Sequence, residues 1–339
     1  MITVSLCMIV KNEAEVLERA LSSMADLMDE VVIVDTGSTD RTKEIAYKYT
    51  DKVYDFPWVD DFSLARNFAF SHCVCDYIYS ADADEVLDEK NRKRFWDLKS
   101  VLMKEVEIVQ MWYVEQGTQT VLNAKKEYRP KLFKRLRTFT WIDPVHETVR
   151  LDPVVFDSDI EILHMPQGNH SGRDFRIFEL SYDTEGRLSK RLYEMYVREL
   201  YKWGDAKSLN KGVKILKNVL ETETVETPLY IDICTVIAKA MRVLGNEPKF
   251  LKYAMKVVSL GANSEICKEL GDYYVEKNDI SEASIWYYNA IHETESTMDI
   301  FVKGKATMVA LSDCYEKLNQ GDLSAYYLTE AGKWQPPEE

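Results

Sequence analysis

The chain has 339 residues, 46% apolar and 29% charged, a composition that fills a core, solvates a surface and argues against intrinsic disorder. That length accommodates two domains of ordinary size. A formal net charge of -14 argues against a general nucleic-acid binder, which needs a basic face, but leaves room for a small anion held locally by helix N-termini, a metal and a few Arg or Lys.

Residues 2–10 are short, apolar and rich in β-branched side chains, and predict a strand. Residues 13–28 carry Val16, Leu17, Ala20, Leu21 and Met24 at helical spacing. Val31-Val32-Ile33-Val34 is a buried-strand run closed by Asp35, followed by a turn over 36–40 and a helix over 41–49. Residues 52–56 read as a strand, 62–72 as a helix and 77–80 as a fourth strand. Strands alternating with helices in short units imply an α/β fold with a mostly parallel sheet, whose ligands bind at the carboxyl ends of the strands. Residues 107–115 and 127–133 look like further strands in antiparallel company. The segment 164–174 is loop-like and is the expected domain boundary, giving domains at 1–172 and 173–339.

From Arg176 to Lys333 the pattern is almost wholly helical, with turn signals at Gly204-Asp205, Gly245-Asn246, Asn278-Asp279 and Gly321-Asp322. Leu270-Gly271-Asp272-Tyr273-Tyr274, Asn278-Asp279, then Ala283, Tyr287 and Ala290 resemble a tetratricopeptide (TPR) helix pair. The irregular spacing makes this an all-α, TPR-like repeat domain.

Six cysteines show no metal-ligand spacing, and several sit inside apolar segments, as reduced buried thiols do. No secretory leader is visible, and no apolar run approaches the ~18 residues of a membrane span. The expectation is a cytoplasmic protein without a transmembrane segment.

Three polar segments follow strands: Val10-Lys11-Asn12-Glu13, Asp35-Thr36-Gly37-Ser38-Thr39-Asp40 and Ser80-Ala81-Asp82-Ala83-Asp84-Glu85. In a doubly wound fold these loops meet at one crevice. A nucleoside diphosphate leaving group needs a hard divalent cation, and such a cation takes one or two carboxylates plus phosphate and water. An Asp-x-Asp at a strand end aims both carboxylates there; the plainer reading is a solvated acidic turn. Asp35 is placed to accept from a base or ribose, or to cap a helix entry. Arg66 is placed to reach a phosphate in forked geometry, or to form an ion pair.

Taken in order, Ser5–Glu13, Val32–Asp40, Phe62-Ser63-Leu64-Ala65-Arg66-Asn67 and Asp82-Ala83-Asp84-Glu85 resemble the motifs of family 2 glycosyltransferases, over roughly residues 2–172. The resemblance implies a GT-A (Rossmann-like) fold, a nucleotide-sugar donor, usually UDP-linked, a divalent metal such as Mg²⁺ or Mn²⁺, and inversion at the anomeric carbon. It implies donor contacts at Val10, Asn12, Glu13, Asp35, Gly37, Ser38, Arg66, Asp82, Ala83, Asp84 and His146. Among these, Glu13 and Asp35 would contact the nucleoside, Asp82 the ribose, and Asp84 the metal. Trp141-Ile142-Asp143-Pro144-Val145-His146-Glu147 resembles the His-Glu segment of lipopolysaccharide-core glucosyltransferase-like members. Glu161-Ile162-Leu163-His164 resembles the strand-end histidine that completes metal or diphosphate binding, although Pro166 stands where relatives often have Gly and Gly168 comes later. An inverting transfer needs one general base, for which Glu147 is the first candidate and Asp143 the second. The basic residues Arg129, Lys131, Lys134, Arg135 and Arg137 read as phosphate or acidic-acceptor contacts, or as a solvated strand face.

A catalytic domain followed by TPR-like repeats resembles bacteriocin peptide S-glycosyltransferases, implying a peptide or protein acceptor and a possible homodimer contact through the helices. A saccharide acceptor is the alternative. A nucleotidyltransferase usually has a Gly-rich loop after its first strand, and residues 8–13 contain no Gly. A TPR scaffold with an inactive transferase domain is opposed by intact Asp35, Arg66, Asp82 and Asp84.

Overall fold

The structure, a computed structural model, describes residues 1–115, 126–149, 153–165, 171–225 and 227–336. Among these the chain divides into two compact units, one up to Ile177 and one from Phe178 onward.

The first unit is built on an eight-stranded sheet among the described residues, of order β3-β2-β1-β4-β7-β6-β10-β5. These strands are β1 (Val4–Val10), β2 (Glu30–Asp35), β3 (Val53–Asp55), β4 (Tyr77–Ala81), β5 (Glu85–Val86), β6 (Ile108–Glu115), β7 (Lys126–Lys134) and β10 (Val155–His164). A separate two-residue ladder joins β8 (Trp141–Ile142) to β9 (Thr148–Val149). β3, β2, β1 and β4 run parallel, and β7 enters antiparallel between β4 and β6. This is the mostly parallel α/β sheet expected from the sequence.

The strands form because both faces of the sheet are covered, so their sequences are nearly continuous apolar runs. Val4, Leu6, Met8 and Val10 pack on one face with Leu17, Leu21 and Met24 of α1 (Leu17–Met24) and Phe95 and Leu98 of α4 (Glu89–Val101). Cys7, Val32, Val34 and Ile78 pack on the other with Ala69 of α3 (Phe62–Ser71). The α2 helix (Thr42–Ala46) is shorter than the expected 41–49 segment. Strand order reverses between β1 and β4, so the carboxyl ends of β1, β2 and β4 open on a topological switch point, the position where ligands of such sheets bind.

α5 (Ser171–Glu185) begins inside the segment expected to be a loop. Its first turns pack with the sheet unit: Arg176 pairs with Asp60 at 2.5 Å, and Arg173 lies over the Phe62 ring at 4.9 Å.

The second unit is helical: α6 (Lys190–Trp203), α7 (Ala206–Leu220), α8 (Pro228–Val243), α9 (Glu247–Ser259), α10 (Ser264–Glu276), α11 (Ile280–Tyr288), α12 (Lys305–Lys317) and α13 (Gly321–Lys333). The turn signals work as caps. Asp205, Asn246 and Asp279 each accept from a backbone N–H in the first turn of the following helix. Gly321-Asp322 departs from this, because Gly321 already opens α13 and the turn falls at Leu318–Gln320. The α10–α11 pair has the TPR-like close contact. A Cβ at Gly271 would stand 2.5 Å from the Tyr287 ring, so only glycine lets the two helices approach this closely. No helix among the described residues is long and apolar enough to cross a membrane.

Candidate active site

The first two loops at the switch point are tied to each other. Asn12, with φ 57°, accepts through Oδ1 from Thr39 N at 2.8 Å, and its own N–H donates to Ser38 Oγ at 2.8 Å. The Val10 carbonyl accepts from Thr36 N at 2.9 Å. Asp35 Oδ1 accepts from Gly37 N and Ser38 N at 2.9 and 2.8 Å, closing a tight turn that needs Gly37 at φ 102°. Asp35 is 1% exposed and its Oδ2 has no hydrogen-bond partner. A buried carboxylate oxygen left without a donor is what a nucleoside N–H or ribose hydroxyl would satisfy.

Asp82 and Asp84 follow β4, with buried Ala83 between them. Asp84 Oδ2 and His164 Nε2 stand 3.0 Å apart. Long-range pairing brings them together: β5 runs antiparallel to the end of β10 with Glu85 opposite His164, and Met165 N donates to the Asp84 carbonyl at 3.1 Å. Pro166 and Gly168 lie outside the described residues.

Arg66, on α3, is the hub. It is 9% exposed. Its Nε and Nη2 donate to Glu147 Oε1 at 2.8 and 2.5 Å, and its Nη1 donates to Ser80 Oγ at 2.5 Å. Nη2 lies 3.6 Å from Asp82 Oδ1, and the guanidinium sits over the Trp141 ring at 4.8 Å. Glu147 is therefore an ion-paired carboxylate that reaches the donor loops through Arg66. Asp143 and His146 share its turn, with φ of 71° and 49°, left-handed conformations uncommon outside glycine.

The acidic groups respond differently to one field. Burial, then the neighbouring Asp84 carboxylate, pushes Glu13 up to about 7. Burial also opposes ionisation of Asp82, but Lys131, Arg66 and Arg129 hold its carboxyl well below the usual range. Glu85 is fully buried and raised to about 7 by burial, despite its ion pair with Lys131.

A divalent cation fits this centre. Asp84 and His164 offer an oxygen and a nitrogen donor at one point, and Glu13 feels negative charge from Asp84, Asp40 and Asp82 that Arg173 offsets only in part. Among the described residues no group of three or more His, Cys, Asp or Glu side chains forms a closed cage. Two protein donors with the remaining positions left to phosphate and water is an arrangement hard cations accept.

The structure thus gathers Glu13, Arg66, Asp82, Asp84, Glu147 and His164, and sets Val10, Asn12, Asp35, Gly37 and Ser38 in the adjoining pair of loops. The basic run splits. Arg129 and Lys131 project from the site face of β7, where Arg129 stacks on Tyr113 at 3.7 Å and Lys131 lies 3.8 Å from Asp82. Lys134, Arg135 and Arg137 instead bond Lys104 O, Cys75 O and Glu107. Strand alternation, with 129 and 131 on one face and 134 on the other, was the available signal for part of this split; Arg135 and Arg137 lie past the end of β7.

Residues 5–150 match the family described as Glycosyl transferase family 2. A TPR repeat-containing protein of Synechococcus elongatus is 51% identical over 87 residues, 26% of this chain and 22% of that one. An uncharacterized glycosyltransferase of Rickettsia felis is 28% identical over 66% of this chain and 76% of its own length. The SPbeta prophage-derived glycosyltransferase SunS of Bacillus subtilis is 30% identical over 44% of this chain and 38% of that one. Among solved structures, glucosyl-3-phosphoglycerate synthase from Mycobacterium tuberculosis in complex with Mn²⁺ and UDP-glucose aligns at 13% identity and a TM-score of 0.40, over 56% of this chain and 81% of that chain. The chain is a glycosyltransferase, and its residues 5–150 make up a family 2 glycosyltransferase domain.

Proposed function

We propose that the enzyme transfers a sugar, with inversion, from a UDP-sugar to a peptide or protein side chain, using Mg²⁺ or Mn²⁺. The observation that carries the donor half of this reading is the Asp84–His164 pair beside Asp82, at the same carboxyl-end edge of the parallel strands as Asp35. When bound, the cation neutralises the charge that develops on the departing diphosphate. Asp84 and His164 hold it. Asp35 Oδ2 accepts from the base or ribose, and Asp82, kept ionised by Lys131 and Arg66, accepts from a ribose hydroxyl. Glu13 lines the same crevice. Glu147 takes the proton of the attacking acceptor group on Oε2, while Arg66 fixes Oε1. Asp143 is the second candidate for that proton.

The peptide acceptor is supported by the helical unit. Stacked helix pairs leave an extended surface suited to an extended chain. A saccharide acceptor is the competing reading. Asp84→Asn is the test of the donor site: metal-dependent release of nucleoside diphosphate should fall by at least about 10²-fold without unfolding, the scale of losing a group that stabilises developing charge. Near-normal turnover of that variant at limiting metal would remove Asp84 from the site.

A further inference from the structure

We propose that Asn67 is a positioning residue for the transfer step. It fixes the turn bearing Asp143, His146 and Glu147 against the donor loops, an inference that rests on the function proposed above.

Asn67 lies on α3 one residue past Arg66, so the two side chains leave the helix about 100° apart. Arg66 turns toward β4; Asn67 turns toward β8. There its Nδ2 donates to the Trp141 carbonyl at 3.0 Å, and its Oδ1 accepts from Trp141 N at 2.8 Å. The side-chain amide therefore pairs with the Trp141 peptide as a neighbouring strand would. That matters because the β8–β9 ladder has only two residue pairs, Trp141 with Val149 and Ile142 with Thr148, and so short a ladder does not hold itself. The turn it closes is strained, since Asp143 and His146 both have left-handed φ, and Thr138 just before it does too. Such conformations persist only where the surroundings over-determine them.

Two further ties come from the same helix. Phe62 N donates to the Pro144 carbonyl at 2.9 Å, and Arg66 holds Glu147. The Trp141 ring, fixed through its backbone by Asn67, packs edge-on against Phe70 and Phe133 and lies beneath the Arg66 guanidinium. Asn67 thus sets where Trp141 stands, and with it the Arg66 and Glu147 side chains, although its own side-chain hydrogen bonds go to Trp141.

Aspartate separates bonding from packing at this position. It has nearly the same shape as asparagine, but it sets a carboxylate oxygen against the Trp141 carbonyl in place of a donor. The experiment compares the full-length wild type with Asn67→Ala and Asn67→Asp. Hydrogen exchange is followed in peptides covering 139–149 and in peptides of β1 and β2. Affinity for UDP with MnCl₂ and hydrolysis of UDP-glucose are measured alongside. Both variants should exchange about tenfold faster over 139–149 with β1 and β2 unchanged. UDP affinity should stay within about twofold, while kcat for UDP-glucose falls about tenfold at similar KM. Unchanged exchange over 139–149, a wild-type-like Asn67→Asp, faster exchange across the whole sheet, or UDP affinity falling in step with turnover overturns the assignment. Failure of the wild type to bind UDP would sink the donor reading instead, and the exchange data would still decide whether Asn67 clamps the turn.

Discussion

Arg66 spends its whole guanidinium on three oxygen-bearing side chains, and only one of them, Glu147, lies outside the β4 strand end. A carboxylate held by arginine through Oε1 keeps its second oxygen for a proton. Glu147→Gln keeps the shape and an acceptor oxygen for Arg66 but removes the base. Donor binding should survive, and transfer should fall by roughly 10²–10⁴-fold, the usual range for loss of a general base. Steady-state kinetics on Glu147→Gln beside Asp143→Asn would check it. Normal transfer in the first with loss in the second moves the role to Asp143. The position of the three polar loops at one sheet edge was legible in the sequence because each segment follows a buried parallel strand. Lys131, Glu85 and Asn67 stood in the quoted segments, but their partners could not be read there. Their roles depend on which strand β7 joins and on which turn lies over α3, and neither pairing is written locally. His164 was found only by its resemblance, since its neighbour Asp84 is 80 residues away.

At the scale of elements, the strands were readable and their ends were not. Residues 2–10 and 30–35 gave themselves away as apolar runs, yet α5 starts at Ser171 because its first turns find partners in Asp60 and Phe62. Two elements of the helical unit carry predictions. Gly271 faces Tyr287, whose hydroxyl is fixed on Asp272 at 2.8 Å, so the ring cannot swing away freely. Gly271→Ala should therefore cost about 1–3 kcal/mol by overpacking, even though alanine is the better helix former, read as a lower midpoint in urea. A neutral result would mean that α10 and α11 slide apart at no cost.

Asp232, on α8, accepts from Thr297 Oγ1 at 2.6 Å and is raised to about 6, first by burial, with Glu265 also opposing its charge. The folded state then binds more protons than the unfolded chain between pH of about 4 and 6, so stability falls as pH rises through that window. Asp232→Asn keeps the acceptor for Thr297 and removes the charge. It should stabilise the protein by about 1–3 kcal/mol above pH of about 7, with the gain vanishing below pH of about 4. Thermal melts at the two pH values check this; a gain of equal size at both would show that charge is not its cause.

At the scale of the whole molecule, the chain carries a sheet unit with a charged crevice at its switch point and a helical repeat unit. The division into α/β and all-α halves was legible because hydrophobic period and turn chemistry both change along the chain. What the halves do together is the proposal that the first activates a sugar and the second serves the acceptor. Its central claim is that the crevice around Asp35, Asp82 and Asp84 takes a nucleotide-sugar with a divalent cation. The most direct measurement is product analysis after incubating the full-length protein with UDP-, GDP- and dTDP-sugars, with Mg²⁺ or Mn²⁺ and again with chelator. Nucleoside diphosphate should be released, most from a UDP-sugar, and chelator should abolish the release. Release of pyrophosphate, or no nucleoside diphosphate from any donor under conditions where the protein stays folded, would contradict it.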